Sequence, residues 1–344
     1  MNFEQKIKKY DTSDMRGAIL DFYKQFEIGI KIAKQIKFKK RKFDKIIICG
    51  MGGSAWPGDI IQTYLELKKE IKIPIIISRL YFLPYQITKN SLILISSYSG
   101  NTEEVLSSYK DALKKNLSMI GFSRGGKLEQ MCRRDNIPFI KYPDDGPTFQ
   151  PRLAVGYMFS SILTVLANLG IIKKQSKDIL AIGNSLKKII PSLENQGQSL
   201  AQKLFNKIPI IYSSDELKII AQIWTIKFTE NSKILAFWNY FPELNHNEMN
   251  GYVNTEKTKF FTLILKSNTD YFRVIKRAEI TAQMIKKMRG DVEILDMLGK
   301  NILEKMFYAI ILGDWTSYYL ALLNNQDPTP VAMVEEFKKE LNKK

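Results

Sequence analysis

Histidine and cysteine are almost absent from this chain. One histidine, His246, and two cysteines, Cys49 and Cys132, occur among 344 residues. One histidine cannot build the usual cluster of histidine and acidic ligands, so the composition predicts no metal and argues against metal-dependent catalysis. The cysteines form neither a CxxC pair nor a zinc-binding spacing, and such sparse use is typical of a reducing compartment.

Long apolar runs are also missing from the sequence pattern. The N-terminus, MNFEQKIKKYDTSDMRG, lacks the apolar segment of a secretory signal. No later run approaches the roughly 20 residues that span a bilayer. We therefore expect a cytoplasmic protein with no membrane partner.

The chain carries a large excess of positive charge. Its 52 Lys and Arg residues against 35 Asp and Glu residues give a formal charge of +17. Such an excess suits nucleic acid, an acidic surface or an anionic metabolite. The densest run, KFKKRKFDK at 37–45, has no nucleic-acid-binding motif beside it. We interpret it as a solvated helix end before the first strand, and predict no nucleic-acid partner.

Short isoleucine-rich runs alternate with segments of helical period, which predicts an α/β fold. The chain is long enough for two domains. We expect two doubly wound, flavodoxin-like parallel-sheet domains with helices on both faces, the second a degenerate repeat of the first. The predicted strands are 45–50, 73–78, 91–97, 117–122 and 137–142, then 208–214, 233–239, 260–267 and 292–297.

The strand pattern is interrupted near Pro151 by the long apolar segment RLAVGYMFSSILTVLANLG. We predict an N-terminal domain at 1–150, a connecting helix and linker at 151–190, and a C-terminal domain at 191–344. The last segment, TPVAMVEEFKKELNKK, has the period of an amphipathic helix.

The segment CGMGGSAWPGD follows the first predicted strand and precedes a helix. At such a position, backbone N–H groups and the helix N-terminus can hold a phosphate. Gly52 and Gly53 allow the backbone to approach a ligand, and Ser54 adds a hydroxyl. We therefore take these three residues as candidates for phosphate binding.

The same segment also fits the dinucleotide-binding pattern G-x-G-x-x-A, through Gly50, Gly52 and Ala55. That motif expects an acidic residue about 20 positions on, where the second strand ends. Here the second strand ends in Ser78 and Arg79. The dinucleotide interpretation is therefore weak.

A second turn, SSYSGNTEEV, follows the third predicted strand and opens a helix. It places the hydroxyls of Ser97, Ser99 and Thr102 near helix-start amides, which together suit a phosphate monoester dianion. The alternative is helix capping by Ser99 or Thr102. One hydroxyl suffices for a cap, so three on one turn favour phosphate binding.

These two turns together resemble the sugar isomerase (SIS) domain, a phosphosugar-binding fold. Further segments resemble, more narrowly, the bifunctional phosphoglucose/phosphomannose isomerase family. They are YDTSDMRGAILDFYKQ, QPRLAVGY, TENSKILAFWNYFPELNHNEMNGY and DPTPVAMVEEFKKEL. The resemblance implies two SIS domains, no cofactor, and the interconversion of glucose 6-phosphate and mannose 6-phosphate with fructose 6-phosphate. The reaction would pass through a cis-enediol(ate), as a step of glycolysis and gluconeogenesis.

The resemblance also implies roles for residues outside the two turns. Glu230 takes the position of the base that moves a proton between C1 and C2. His246 becomes the ring-opening acid and base, with Asn245 and Asn247 able to orient its ring. Arg152 is implied to face the developing enediolate oxygens.

A C-terminal lysine is implied to assist ring opening. Lys338 matches it, although Lys339 is adjacent. The resemblance further implies a homodimer whose active site lies at the subunit interface and whose histidine comes from the partner chain. Two alternatives stay open: another SIS-domain phosphosugar isomerase, and a non-catalytic phosphosugar-binding regulator. The first 40 residues contain no convincing helix-turn-helix, which such regulators usually carry.

Overall fold

The isoleucine-rich runs form strands and the periodic segments form helices. The computed structural model describes residues 1–34, 41–341 and 343. The strands are β1 (Lys45–Cys49), β2 (Ile75–Ser78), β3 (Ser91–Ser96), β4 (Ser118–Ser123), β5 (Phe139–Lys141), β6 (Ile208–Ser214), β7 (Phe237–Phe241), β8 (Phe260–Lys266) and β9 (Asp291–Asp296). The helices are α1 (Phe3–Tyr10), α2 (Met15–Leu20), α3 (Gln25–Lys34), α4 (Trp56–Leu67), α5 (Glu103–Lys114), α6 (Gly126–Arg134), α7 (Val155–Asn168), α8 (Ser176–Leu204), α9 (Lys218–Lys227), α10 (Phe272–Lys287), α11 (Ile302–Leu323) and α12 (Ala332–Leu341). Part of the basic run 37–45 lies outside the described residues.

Two compact units divide the chain. One, called here the first unit, is Asp21–Lys187; the second unit joins Met1–Leu20 to Lys188–Lys344. These limits differ from the predicted domains of 1–150 and 191–344. The segment 151–187 belongs to the first unit because its apolar helix α7 packs against α3 and α4.

The N-terminal segment belongs to the second unit because α1 and the residues after it are bonded to α11 and its C-terminal end. The Lys6 ammonium donates to the Leu322 carbonyl at 3.0 Å, and the Tyr318 hydroxyl donates to Asp11 at 2.9 Å. Contacts between residues so distant in sequence leave no local pattern. The sequence therefore predicted that this segment belongs to the domain that follows it directly in the chain.

In the described part of the first unit, the strands form one parallel sheet in the order β2-β1-β3-β4-β5. This is the doubly wound, flavodoxin-like order that the sequence predicts, and it places the turns after β1 and β3 side by side. Cys49 and Cys132 are free thiols packed in the core of this unit. Burial raises the pKa of both thiols to about 12. They act as small apolar side chains.

The described strands of the second unit form a parallel sheet in the order β7-β6-β8-β9. This order repeats β2-β1-β3-β4 strand for strand, which confirms the predicted structural repeat. Strand β7 starts at Phe237, four residues later than the predicted 233. Lys233 has a left-handed conformation, with φ of 58°, and ends the preceding helical turn. The chain therefore becomes extended only after it.

The helix α11 is the core helix of the second unit. It is long and apolar enough to cross a membrane by length and composition, so the expectation of no such run was wrong for this segment. However, 94% of its apolar window is buried inside the protein. It also carries Asp314, whose carboxylate forms a buried ion pair with Lys227 of α9. A buried helix that pairs its charge within the protein is typical of a globular core.

We expect Asp314→Ala to destabilise the second unit strongly, because it leaves the buried ammonium of Lys227 without its carboxylate. The cost should be about 3–5 kcal/mol of unfolding free energy, measured by urea denaturation with circular dichroism. As a control, Asp291→Ala removes the same charge from an exposed pair with Lys207 and should cost less than about 1 kcal/mol. The double variant Lys227→Met/Asp314→Leu should recover most of the loss. Equal effects of the two single alanine variants would contradict this assignment.

Candidate active site

Hydrogen bonds fasten the turn after β1 to the turn after β3. The Ser96 hydroxyl donates to the Ser54 carbonyl at 3.0 Å, and the backbone N–H of Tyr98 donates to the Ser54 hydroxyl at 3.0 Å. Ser54 and Ser96 are buried. Because both bonds lie at the carboxyl edge of the sheet, the two predicted phosphate-binding segments form one rigid assembly. We call it the phosphate cup.

The hydroxyls of the second turn build the cup as well as line it. The Ser97 and Thr102 hydroxyls are 2.8 Å apart, and the backbone N–H of Gly100 donates to the Ser97 hydroxyl at 3.1 Å. Ser97 is fully buried, whereas Ser99 and Thr102 are partly exposed. A ligand can therefore reach the hydroxyls of Ser99 and Thr102 more readily than that of Ser97.

Helix capping does not account for these hydroxyls. Thr102 is the N-cap residue of α5, yet its side chain makes no capping hydrogen bond. The Ser99 hydroxyl accepts from the N–H of Asn101 at 3.3 Å, which lies before the helix. The amides of the first turn of α5 have no partner inside the helix and remain available to an anion.

The glycines of the first turn serve two different purposes. Gly52 has φ of +47°, and a Cβ placed there would have no atom within 4 Å, so this backbone faces open space. A Cβ on Gly53 would lie 2.8 Å from the backbone nitrogen of Arg152. The absence of a side chain at Gly53 therefore lets the buried turn that carries Arg152 approach the cup.

The Arg152 turn is held in the first unit by Gln25 of α3. The Gln25 side-chain amide donates to the Leu153 carbonyl at 2.6 Å and accepts from the N–H of Gly156 at 3.0 Å. Gln25 is itself buried. Two opposed bonds to one amide fix the backbone on both sides of the turn, and so they place Arg152 beside the first turn of the cup.

The corresponding turn of the second unit contains its own carboxylate. Asp270 follows β8, which has the sheet position of β3. It accepts from the Ser214 hydroxyl at 2.7 Å and from the N–H of Ser267 at 2.9 Å. Burial raises the pKa of Asp270, and burial together with Asp270 and Asp215 raises the pKa of Glu216 after β6. These acidic side chains lie where the first unit has glycines and serines. Their carboxylates disfavour the binding of an anion there. This difference favours the first unit for the predicted phosphate site.

Glu230 lies in a π-helical turn, Phe228–Ser232, at the end of α9. It is partly buried. The neighbouring Asn231 side chain donates to the Ser317 hydroxyl at 2.9 Å, and the Ser232 hydroxyl donates to the Ser317 carbonyl at 2.7 Å. Since both bonds end on the core helix α11, the wide turn that carries Glu230 is rigid. Isolated π-helical turns are frequent at functional sites.

His246 is exposed and ends a 3-10 turn that begins at Glu243 and buries Leu244. The expectation that the flanking asparagines orient its ring was wrong. The Asn245 amide donates to Thr281 at 2.9 Å, and the Asn247 amide donates to Glu243 at 2.7 Å. In the part of the chain that the structure describes, the imidazole makes no hydrogen bond. Both asparagines hold the turn instead of the ring.

Lys338 lies on α12, where no residue is buried, and its ammonium is 2.7 Å from the Glu335 carboxylate. Lys339 is exposed as well. Burial therefore does not distinguish the two lysines. Among the described residues, no group of three or more His, Cys, Asp or Glu side chains is arranged to hold a metal ion.

Comparison with known proteins identifies the family of this chain. A family model, the bacterial phospho-glucose isomerase C-terminal SIS domain, matches residues 193–341. The bifunctional phosphoglucose/phosphomannose isomerase of Caldicellulosiruptor bescii is 38% identical over 92% of this chain and 95% of its own length. This chain belongs to the bifunctional phosphoglucose/phosphomannose isomerase family. The Aquifex aeolicus protein of the same name is 33% identical over 94% of this chain and 96% of its own length.

A solved structure with the same fold supports the two-sheet architecture. The C-terminal domain of glucosamine-fructose-6-phosphate aminotransferase from Francisella tularensis superposes with a TM-score of 0.71 at 17% identity. The match covers 91% of this chain and 97% of that domain. At such identity the likeness concerns the fold, and the family rests on the closer sequence relatives.

A third turn of the phosphate cup was not predicted from the sequence. It follows β4 and contains the glycine pair Gly125 and Gly126. A Cβ on Gly100 would lie 1.9 Å from the Gly125 carbonyl oxygen, and a Cβ on Gly126 would lie 2.5 Å from the Ser99 carbonyl oxygen. The turn after β4 therefore packs directly against the serine turn. The signal was present, since SRGGK is also a glycine-rich segment between a strand and a helix.

A second missed feature is the buried network beneath the His246 turn. The Tyr212 hydroxyl donates to Glu248 at 2.5 Å and lies 2.8 Å from the Tyr252 hydroxyl. The Asn239 amide donates to the other Glu248 oxygen. Burial, with Tyr252 and Glu248 adding to it, raises the pKa of Tyr212 well above its usual range. Tyr212 therefore remains a neutral donor that fastens Glu248 to the sheet.

We expect Glu248→Ala to release the His246 turn, because it leaves the Tyr212 hydroxyl and the Asn239 amide without their acceptor. The cost should be about 1–3 kcal/mol of stability for each unsatisfied group. His246 is the single histidine of the chain, so its carbon-bound ring protons give an unambiguous NMR signal. That signal should move to the position of an unstructured histidine in Glu248→Ala and stay in place in the control Glu293→Ala. An unchanged signal in both variants would refute the holding role.

Proposed function

We propose that this chain is an aldose–ketose isomerase that interconverts glucose 6-phosphate and mannose 6-phosphate with fructose 6-phosphate. The observation that carries the proposal is the phosphate cup, found in a chain that is 38% identical to a bifunctional phosphoglucose/phosphomannose isomerase. Structurally related enzymes with other phosphosugar substrates share the fold. The choice among hexose phosphates therefore rests on the sequence relatives.

The phosphate of the substrate is proposed to bind in the cup. The partly exposed hydroxyls of Ser99 and Thr102 and the first amides of α5 supply donors for a dianion. Gly52 adds backbone that faces open space. The buried Ser97 and Ser54 contribute indirectly, because their hydroxyls hold the turns that carry these donors. No cofactor is required for this binding.

The proton transfer is assigned to Glu230. In the aldose-to-ketose direction, its carboxylate takes the proton from C2 and the electron pair forms the enediolate. The same group then returns a proton to C1 while the C2 hydroxyl gives up its proton and the C1 oxygen gains one, so C2 becomes the carbonyl carbon and no redox partner is consumed. We assign Arg152 to the negative charge that develops on the enediolate oxygens. Its fixed position beside the cup supports this role.

Ring opening must precede proton transfer, and we assign it to His246 with help from Lys338. Opening removes the proton of the anomeric hydroxyl and delivers a proton to the ring oxygen. An imidazole can accept the first proton and donate the second near neutral pH. Such a group has to be held in place during the reaction. Within the described residues, no hydrogen bond holds the His246 imidazole. This supports a homodimer in which His246 serves the partner's active site.

A cytoplasmic location is proposed as well. The two cysteines are free and buried, as suits a protein that needs no disulfide. Central carbohydrate metabolism would be the setting of such an isomerase.

We expect Glu230→Gln to lower kcat by about a thousandfold while the dissociation constant for fructose 6-phosphate changes little, because the amide cannot accept the proton. With the unaltered chain in deuterium oxide, deuterium should appear at C2 of the recovered aldose phosphates. Glu293→Gln is the control and should keep full activity. Normal turnover by Glu230→Gln would disprove the base assignment.

Binding without turnover by the unaltered chain would indicate a regulator. A panel that includes amino-sugar phosphates would reveal another isomerase.

The shared site predicts complementation between two inactive variants. In a mixed dimer of Glu230→Gln and His246→Gln chains, one of the two sites receives both unaltered groups. Random subunit exchange should then restore about a quarter of the original activity. If His246 served its own chain, both sites of the mixed dimer would stay inactive and mixing would restore nothing. Size-exclusion chromatography with light scattering measures the dimer itself.

A further inference from the structure

A groove of about 400 Å³ lies between α10 and the turn that carries His246. Three cationic side chains of α10 line it: Arg273, Lys276 and Arg277. They are spaced three and four residues apart, so they share one face of the helix. No acidic side chain lines the groove among the described residues. Its volume is within the range of small-molecule sites.

The floor of the groove is a fixed polar framework. Thr281 is buried, and its hydroxyl accepts from the Asn245 amide at 2.9 Å. The Asn245 carbonyl oxygen accepts from the Arg277 guanidinium at 3.2 Å. Arg277 is therefore oriented by one N–H while its guanidinium keeps other donors. This framework belongs entirely to the second unit and shares no residue with the phosphate cup.

The charges of the groove are not compensated within the described residues. Arg273 and Lys276 are exposed and form no ion pair or hydrogen bond there. Three neighbouring cations repel one another, so a multivalent anion relieves more repulsion than a monovalent one. Phosphoryl groups suit guanidinium donors because two parallel hydrogen bonds can form. Ile280 adds an apolar wall.

We propose that this groove binds a small molecule that carries at least two phosphoryl groups, and so about three negative charges, together with an organic part. The cations bind the phosphoryl oxygens, and Ile280 contacts the organic part. The ligand class differs from a hexose monophosphate in its charge. The site is therefore separate from substrate binding.

Occupancy of the groove also bears on His246. Asn245 precedes His246 and is the acceptor for Arg277, which an incoming phosphate would attract. Binding should therefore change the position of the His246 turn and with it the rate of ring opening. This regulatory step rests on the proposed isomerase function; the binding itself does not.

The binding test uses pyrophosphate and adenosine diphosphate, both without magnesium, as probes in isothermal titration calorimetry. The protein is the full chain with Ser99→Ala/Thr102→Val, so that the cup cannot hold the probe. Adding Arg273→Gln/Lys276→Gln should weaken binding by at least about tenfold, because two charge-assisted contacts are lost. The control Lys286→Gln/Lys287→Gln changes the same charge on the same helix outside the groove and should change binding less than about twofold. Equal affinity of the two variants, or no binding by the parent, overturns the site.

The regulatory step has its own measurements. Adenosine diphosphate should shift the NMR signal of His246 in the unaltered chain and in Lys286→Gln/Lys287→Gln, but not in Arg273→Gln/Lys276→Gln. A signal that does not respond in the unaltered chain overturns the coupling. Isomerase activity is assayed in parallel with the probe present and absent. Groove binding without any isomerisation would overturn the proposed function alone, and isomerisation without groove binding would overturn this inference alone.

Discussion

The candidate site depends on the bonds that fasten two neighbouring strand-to-helix turns to each other. Parallel pairing of β1 and β3 brings the glycine turn and the serine turn to one edge of the sheet. Ser54 and Ser96 then join them through buried hydrogen bonds. Because the joined atoms are buried, water cannot replace these bonds cheaply. The exposed hydroxyls are thereby fixed before any ligand arrives, which lowers the ordering cost of binding an anion.

The two units show how one fold can keep or lose such a site. Their sheets share the same strand order, yet the turns at the corresponding edges differ in charge. The first unit has Gly52 and Ser99 at this edge, whereas the second has Glu216 and Asp270. Asp270 takes the Ser214 hydroxyl and the Ser267 amide for itself. In the second unit, the two side chains predicted to be reactive have rigid supports: a π-helical turn carries Glu230, and a buried tyrosine network lies under His246.

The supports have a common physical form. In each, a candidate reactive side chain that is at least partly exposed lies one or two residues from a side chain that is hydrogen-bonded to the core. Asn231 and Ser232 hold the turn of Glu230 against α11. Glu248 holds the turn of His246 through Tyr212. Local bonding of this kind positions a group without burying it, so the group remains able to meet a substrate or a second chain.

The sequence by itself determined the α/β class, the parallel strands, the repeat and the two turns of the cup. These follow from local patterns: apolar period, glycine placement and hydroxyl-rich turns. Only the tertiary structure decided that Met1–Leu20 belongs with the second unit, that the asparagines flanking His246 bond elsewhere, and that the glycine pair after β4 completes the cup. Each of these depends on contacts between residues far apart in the chain, such as Lys6 with Leu322 or Asn245 with Thr281. Such contacts join particular side chains across the fold, and a specific long-range pairing leaves no periodic signal in the chain.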